Sequence, residues 1–505
     1  SGMIWSLAIS AVAVIAFGFA FWLLRIVPVA QAAIDVTMTA LSMMTDGTLD
    51  DLAKERALIR AGITLIIAGF GIAWRFALAL IAAAAPIFLA DAIGLVFFSA
   101  VMALMLRIDY IVIVSVIAVV IAKFCGYRRR TVEIDETGSK QNHYSAVDRF
   151  FHIVAFSAPT VLKTASFIED RLFSKPLPEP SGPPIFITSL ARGGTTAVLN
   201  ALNDVPGTAT HIYRDMPFVT APRLWNQIAG GKRRNVDRRQ RAHGDGLEID
   251  LDTPEAFEEV IWKLFWPEKY EGHSIELWKE EDENPDAESF LKRHMLKIIS
   301  ARMAQSNREP ETTARYCSKN NTNIARLPYL LKRFPGCRIV VPVRKPECHA
   351  ASLLRQHANF SKKQAEDEFT LRYMRDIGHF EFGQIHKPIQ FPGFSSENHD
   401  PSTLDYWLHY WVHAFREVLR YADNCILVLQ DDLRASPQET MSYLSSELSL
   451  SPGPVDFGSF FRSEPDIARV ELRDRALHEE ASELYSLLQK HAISPHVTTY
   501  ASSAP

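Results

Sequence analysis

The sequence predicts an N-terminal α-helical transmembrane region followed by an α/β domain with a central parallel sheet flanked by helices. Three observations carry this. Residues 1–124 hold 14 charged side chains against 98 in the remaining 381 residues, a split that excludes a wholly water-soluble chain. Beyond residue 183, short apolar runs alternate with helix-patterned stretches, the pattern of buried parallel strands and their crossover helices. The first of those runs opens directly into a glycine-bearing turn and then a helix. Composition excludes other classes: 28 Pro, 24 Gly and 5 Cys in 505 residues fit neither a disordered chain, nor collagen-like repeats, nor a disulfide scaffold. A net charge of −4 argues against a nucleic-acid partner, which would require a basic face to displace phosphate counterions.

The membrane region is expected over residues 1–125, as three or four helices. Met3–Leu24 is uncharged and long enough to span; Ser1 and Gly2 ahead of it read as an appended pair. No small-residue cleavage site in a polar flank follows, so a span is expected rather than a cleaved leader. Ala61–Ala85 and Pro86–Leu106 each carry one charge, Arg75 and Asp91, and Tyr110–Ala122 is a shorter run ending at Lys123. Charges inside spans are costly and commonly paired. A turn near Ala83 would set Arg75 and Asp91 at equal depth on antiparallel helices, so a membrane-buried ion pair is one expectation and interfacial helix ends the other. Arg128, Arg129 and Arg130 directly after the last apolar run predict an inner-membrane protein whose C-terminal domain is cytosolic. Cys125, Cys317, Cys337, Cys348 and Cys425 are odd in number and show no CxxC pairing, in keeping with a reducing compartment.

Residues 126–182 read as a connector. Phe150, Phe151, Val154, Ala158, Val161, Leu162, Ala165 and Ile168 recur at helical spacing, which predicts an amphipathic helix broken near Pro159, lying on the membrane surface or packing on the soluble domain. A stiff proline-rich segment, Lys175–Pro184, sets the boundary of a domain spanning 183–500. Within it, Ile185–Thr188, Arg338–Val343 and Ile426–Leu429 are expected as buried strands. Ligands in such folds bind beyond the strands' carboxyl ends.

The segment Thr188-Ser-Leu-Ala-Arg-Gly-Gly-Thr-Thr196, followed by a helix over Ala197–Asn203, has the architecture of a phosphate cradle. Gly193 and Gly194 allow close backbone approach, and unpaired amides at the helix start face an anion. Arg192 adds a full charge, while Thr195 and Thr196 add hydroxyl donors. The GxxxxGKS or GxxxxGKT spacing of nucleotide-triphosphate loops is missing, with its lysine.

Ser189–Thr196 resembles the 5′-phosphosulfate-binding loop of sulfotransferases that use 3′-phosphoadenosine 5′-phosphosulfate (PAPS). Arg338-Ile-Val-Val-Pro-Val-Arg344, with Ser352 eight residues after the arginine, is similar to that family's 3′-phosphate site. Ser318-Lys-Asn-Asn-Thr322, Leu327–Pro335, and Leu427–Leu433 with Ser436-Pro437 resemble the flanking motifs, so the likeness covers about residues 183–450 in order. Gln430-Asp431, where the family often has Tyr-Glu, and Asn320-Asn321 after the lysine depart from the pattern. Asn320 and Asn359 also open formal glycosylation sequons, read as chance.

The resemblance implies a P-loop-like sulfotransferase fold, PAPS as sulfuryl donor and no metal. Ser189, Arg192, Gly193, Gly194, Thr195 and Thr196 would hold the 5′ end of the donor, and Arg344 with Ser352, assisted by Arg355, the 3′-phosphate. Arg192 and Lys319 would stabilise charge on the bridging oxygen. A base must take the acceptor's proton, and the family draws it from the segment after the first helix; Asp215 is the first choice, His211 the second, Glu258 and Glu259 further ones. The bland alternative for each is a structural hydrogen-bonding or surface role. Lys232–Arg241 is a basic stretch suited to a solvated loop or an anionic surface, His409 and His413 sit four apart without an HExxH glutamate, and the insertion Phe360–Ser402 is a candidate acceptor lid. The expected acceptor is a hydroxyl of a lipid head group or lipid-linked glycan at the bilayer, and a homo-oligomer is compatible. The rival readings are an ATP-dependent phosphotransferase, which requires magnesium, and a non-catalytic membrane scaffold with a retained nucleotide domain.

Overall fold

The computed structural model describes residues 2–26, 51–107, 146–173, 176–230, 254–305, 314–395, 400–461 and 474–494, the short strand pair 239–240 and 248–249, and the single positions 29, 110 and 114. Two compact units divide the chain at Glu136 and Thr137.

The first unit contains helices α1 (Gly2–Leu23), α2 (Asp51–Ala92) and α3 (Phe98–Met105). Helix α2 runs without interruption through Ala83 and carries Pro86 inside it, so the expected separate spans 61–85 and 86–106 are corrected to one long helix and a short one. Arg75 and Asp91 therefore stand on the same helix, 16 residues and about 24 Å apart along its axis, and do not pair. Each finds a backbone partner instead: Arg75 donates to the Gly71 carbonyl at 2.7 Å, and Asp91 accepts the Phe98 amide at 2.9 Å, capping the turn into α3. Among the described residues one stretch, Ile67–Ala92, is long and apolar enough to cross a bilayer, and Trp5–Phe21 is a shorter apolar helix. Residues 115–145, including Arg128–Arg130 and most of the expected last run, lie outside the described residues.

The second unit begins with helices α4 (Ala146–Ala155) and α5 (Pro159–Leu172), the expected amphipathic segment split at Pro159. The sheet comes next: β1 (Ile185–Ile187), β2 (Thr208–Ala209), β5 (Arg315–Lys319), β6 (Arg338–Val343), β7 (Cys425–Leu429) and β8 (Ala492–Ile493), in the order β2-β5-β1-β6-β7-β8 with every neighbour parallel. A separate antiparallel pair, β3 (Arg239–Gln240) and β4 (Glu248–Ile249), holds the only described part of the basic stretch.

The helices around the sheet are α6 (Thr195–Asn203), α7 (Pro222–Gly230), α8 (Glu258–Phe265), α9 (Pro285–Gln305), α10 (Leu327–Arg333), α11 (Pro346–Glu366), α12 (Glu368–Ile377) and α13 (Leu404–Arg420). β1 is apolar at every position because it is covered on both faces: Phe186 joins one apolar core with Ile339, Val341 and Trp407, while Ile185 and Ile187 join the other with Val340 and Val428. Register then sets the geometry of the carboxyl ends, since Ile187 lies opposite Lys319 on one side and Val340 on the other. The turn after β1, the last residue of β5 and the segment after β6 thus meet at one edge of the sheet.

Candidate active site

The turn after β1 is built by side chains that tie it to its neighbours. The Thr188 hydroxyl donates to the Asn321 carbonyl at 3.2 Å, and the Ser189 hydroxyl to the Pro342 carbonyl at 2.9 Å. Arg192 has φ +68° and Gly194, the N-cap of α6, φ +101°, so two left-handed residues flank Gly193. A Cβ on Gly193 would stand 2.5 Å from Ser189 Oγ, which leaves glycine as the residue that fits. Gln430 lies close behind, its Nε2 3.0 Å from where a Gly194 Cβ would be.

Three of the expected donor residues converge. Arg192 Nε donates to Ser352 Oγ at 3.4 Å, and Arg344 Nη1 donates to the Arg192 carbonyl at 3.1 Å, joining the turn, the end of β6 and helix α11. Burial, then the charges of Arg434, Arg192 and Arg355, push the Arg344 guanidinium down to about 10. A cationic cluster of that kind favours a bound anion, which relieves the repulsion. Thr195 Oγ1 donates to Asn321 Oδ1 at 3.1 Å, Thr196 follows on the first turn of α6, and Lys319 sits buried at the end of β5. No sequence motif singles out His349, yet its Nε2–H donates to the Ala191 carbonyl at 2.8 Å, and burial with Arg344 nearby pulls its pKa down to about 3. The neutral imidazole is thereby fixed as a donor to the turn.

The first-choice bases stand elsewhere. Asp215 is wholly buried: Oδ2 accepts the Ile212 amide at 3.0 Å, and Oδ1 accepts Asn226 Nδ2 at 3.2 Å and an ion pair from Arg302. His211 is buried against His294, ring nitrogens 3.2 Å apart, and burial lowers its pKa. Neither side chain lines the cleft beside the turn. Glu258 accepts from Trp262, Tyr316 and Asn323, and Glu259 is gripped by Arg326, Tyr270 and Asn320. All four are enclosed in structural networks that an acceptor hydroxyl would have to break. Asn320 is itself buried, so a glycan at that sequon has no room.

A narrow cleft of about 30 Å³ opens beside the turn, lined by Leu190, Ala191, Asn321 and Thr322 and by Phe380, Glu381, His386, Trp407 and Tyr410. The 360–402 insertion thus supplies a wall of the cleft. Glu381, half-buried there, accepts from Asn321 Nδ2 at 3.1 Å, and Asn321 in turn accepts from Thr195. No sequence pattern marks Glu381, because its link to the turn runs through Asn321, 60 residues away. His386 donates or accepts at Tyr406 Oη, 2.7 Å away, with burial holding its pKa down to about 4. His413 is spent on the Pro392 carbonyl, and among the described residues no group of three or more His, Cys, Asp or Glu is arranged to hold a metal.

Residues 183–391, which contain the turn, β5, β6 and the Glu381 wall, match the sulfotransferase family. This segment is a sulfotransferase-family domain. Solved structures similar to the chain include sulfotransferase STF9 from Mycobacterium avium, at 11% identity over 72% of this chain and 88% of that one with a TM-score of 0.37. Sulfotransferase STF1 from Mycobacterium tuberculosis shares 12% identity over 70% and 84%, with a TM-score of 0.32. The sulfotransferase domain of the Synechococcus PCC 7002 olefin synthase shares 13% over 63% and 98%, with a TM-score of 0.24. No curated protein matches the chain. In the sulfotransferase domain, Asn321 joins the glycine turn to the cleft, accepting from Thr195 on one side and donating to Glu381 on the other.

Proposed function

We propose that the chain transfers the sulfuryl group of PAPS to a hydroxyl of a membrane-associated acceptor, a lipid head group or lipid-linked glycan, at the cytosolic face of the inner membrane. The observation that carries this reading is the convergence of Arg192, Arg344 and Ser352 beyond β1 and β6, next to a glycine turn closing on a helix start. Bound there, PAPS supplies an activated sulfonate. Arg344 and Ser352 hold the 3′-phosphate; the turn amides and Arg192 hold the 5′ end. Lys319, at the end of β5 beside Ile187, adds a cation where charge develops on the bridging oxygen.

On the acceptor side Glu381 replaces Asp215 as the base in this reading, because it lines the cleft and is tied through Asn321 to Thr195. The membrane location is supported by Ile67–Ala92 and by the outward Phe70, Phe88 and Leu89, exposed by 75%, 59% and 64%, a surface that water does not favour.

The test is calorimetric titration of the detergent-solubilised full chain with 3′-phosphoadenosine 5′-phosphate, and separately with ATP and magnesium. Magnesium-independent binding of the bisphosphate, weakened by Arg192→Ala and by Arg344→Ala, is the expected result. ATP binding that requires magnesium, or no binding of either ligand, would overturn the reading.

A further inference from the structure

Helices α4 and α5 have two unlike faces. The inner face is committed to the second unit: Ala155 and Leu162 pack with Val260, Leu264 and Ile377, and His152 Nε2 lies 2.9 Å from Asp376 Oδ2 on α12. The acids of α5 turn the same way. Glu169 is buried within 3.4 Å of Lys297, and Asp170 is held by Lys297 at 3.0 Å and Arg293 at 2.9 Å, both on α9.

The outer face has the opposite character. Ile153 and Val154 on α4, and Phe167 and Leu172 on α5, are 41%, 38%, 57% and 63% exposed; among the described residues of the second unit, Leu487 alone joins them as an exposed large hydrophobic. Lys163, Phe167 and Arg171 recur every fourth residue, one stripe of a helix; the Arg171 guanidinium lies 5.0 Å from the Phe167 ring centroid, and the exposed Lys163 reaches toward the rim of α8, its ammonium 4.5 Å from the Phe265 ring centroid. The acids of α5 face inward, so this surface offers cations and apolar groups together. Zwitterionic or neutral protein surfaces have no special match for that pairing, whereas an anionic bilayer interface accepts both, the rings and aliphatic chains below the head groups and the ammonium and guanidinium groups among the phosphates.

We infer that the outer face of α4–α5 is a docking surface for the anionic lipid interface. The surface is mechanically tied to the acceptor side of the site. His152 joins α4 to α12, and α12 leads through Gly378 into Phe380 and Glu381 on the cleft wall. A bilayer contact at α4–α5 would therefore set the orientation of the cleft toward lipid-borne acceptors. The inference rests on the proposed membrane-associated acceptor.

The test uses the full chain with its native cysteines replaced by alanine, carrying a nitroxide at Phe167→Cys or, as reference, at Leu487→Cys. Each protein is reconstituted into vesicles of phosphatidylcholine alone and of phosphatidylcholine with phosphatidylglycerol. Collision with dissolved oxygen reports lipid contact, and collision with a water-soluble nickel chelate reports exposure. In the anionic vesicles the label at 167 is expected to lose its nickel accessibility and gain oxygen accessibility relative to 487, and Lys163→Glu with Arg171→Glu is expected to reverse the shift. Equal nickel accessibility at 167 and 487 in both vesicles would overturn the inference. So would spin–spin broadening at 167, which marks a second copy on the face, or shielding that is the same with and without anionic lipid. Bisphosphate binding measured on the same samples separates the two readings: its loss with 167 still lipid-shielded counts against the donor site alone.

Discussion

Arg344 acts at both ends of its guanidinium, bracing the Arg192 carbonyl and, in the proposed reading, receiving a phosphate. Its depressed pKa comes from burial and from neighbouring arginines. Arg344→Ala should weaken bisphosphate binding by roughly tenfold to a hundredfold, the worth of one or two charge-assisted hydrogen bonds, about 1.5–3 kcal/mol. Unchanged affinity in calorimetry would remove Arg344 from the donor site. Glu381 and Asp215 make a sharper pair, because both are carboxylates and only one faces the cleft. Glu381→Gln should lower kcat by roughly 10²–10⁴ while leaving bisphosphate affinity and thermal stability unchanged. Asp215→Asn should do the reverse, lowering the melting temperature by stranding Arg302 while the surviving folded fraction turns over normally. A stable, inactive Asp215→Asn protein would restore it as the base. Gly193→Ala offers no such split, since its Cβ collides with Ser189 Oγ and the whole turn must move.

Elements that form by local pattern are legible in the sequence, and those fixed by distant partners are not. β1, β6 and β7 are visible as short apolar runs rich in Ile, Val and Leu, with Phe186 in β1 and Pro342 in β6, and the glycine turn after β1 by its spacing. β5 is legible only as a motif, because Arg-Tyr-Cys-Ser-Lys carries no strand pattern; its five residues are buried by β1 and β2 on either side, and Tyr316 and Asn320 find Glu258 and Glu259 on α8. The sequence divides the long α2 near Ala83 because proline usually ends a helix, yet Pro86 sits within it. Asp215 stands out and Glu381 does not for a single reason: which carboxylate is enclosed and which is presented depends on contacts across many residues. The buried network behind β5 predicts its own fragility. Arg326 is fully enclosed, 4.4 and 4.1 Å from the Trp262 and Trp278 ring centroids, and bonds both Glu259 oxygens at 2.9 and 3.0 Å. Burial alone would raise the Glu259 carboxyl, and Arg326, together with hydrogen bonds from Tyr270 and Asn320, holds it below its ordinary value instead. Arg326→Met should therefore destabilise the domain by about 3–5 kcal/mol by leaving Glu259 buried without its partner, and Arg326→Met with Glu259→Met should recover much of the loss. Thermal unfolding of both variants checks this; a double variant no better than the single would show that the pair does more than neutralise itself.

Across the whole molecule, the imidazoles of His211, His294, His349 and His386 are held toward the neutral form. Burial lowers His349 to about 3, with Arg344 adding to the effect, and His386 to about 4, with His357 adding to it. His211 and His294 are lowered as well, chiefly by burial. In the unfolded chain each of these side chains binds a proton near pH 6.5, while the folded chain refuses it until lower pH. Below that value the unfolded state holds more protons, so stability falls as pH falls, by up to about 1.4 kcal/mol per pH unit for each such histidine. The stabilisation is complete above about pH 6.5 and is lost progressively toward the folded values near 4 and 3. Glu169 and Glu417, raised by burial, act in the opposite sense, adding stability as pH falls through their raised values. Between about pH 6.5 and 5 these four histidines act together against those two carboxyls, and the larger number sets the sign. Scanning fluorimetry of the full chain across that window should show a falling melting temperature, with His349→Gln flattening the slope even though it loosens the turn at Ala191. A melting temperature that stays level until carboxyl groups begin to protonate would mean that these imidazoles reach solvent and that the walls of the cleft open far more readily than their packing implies.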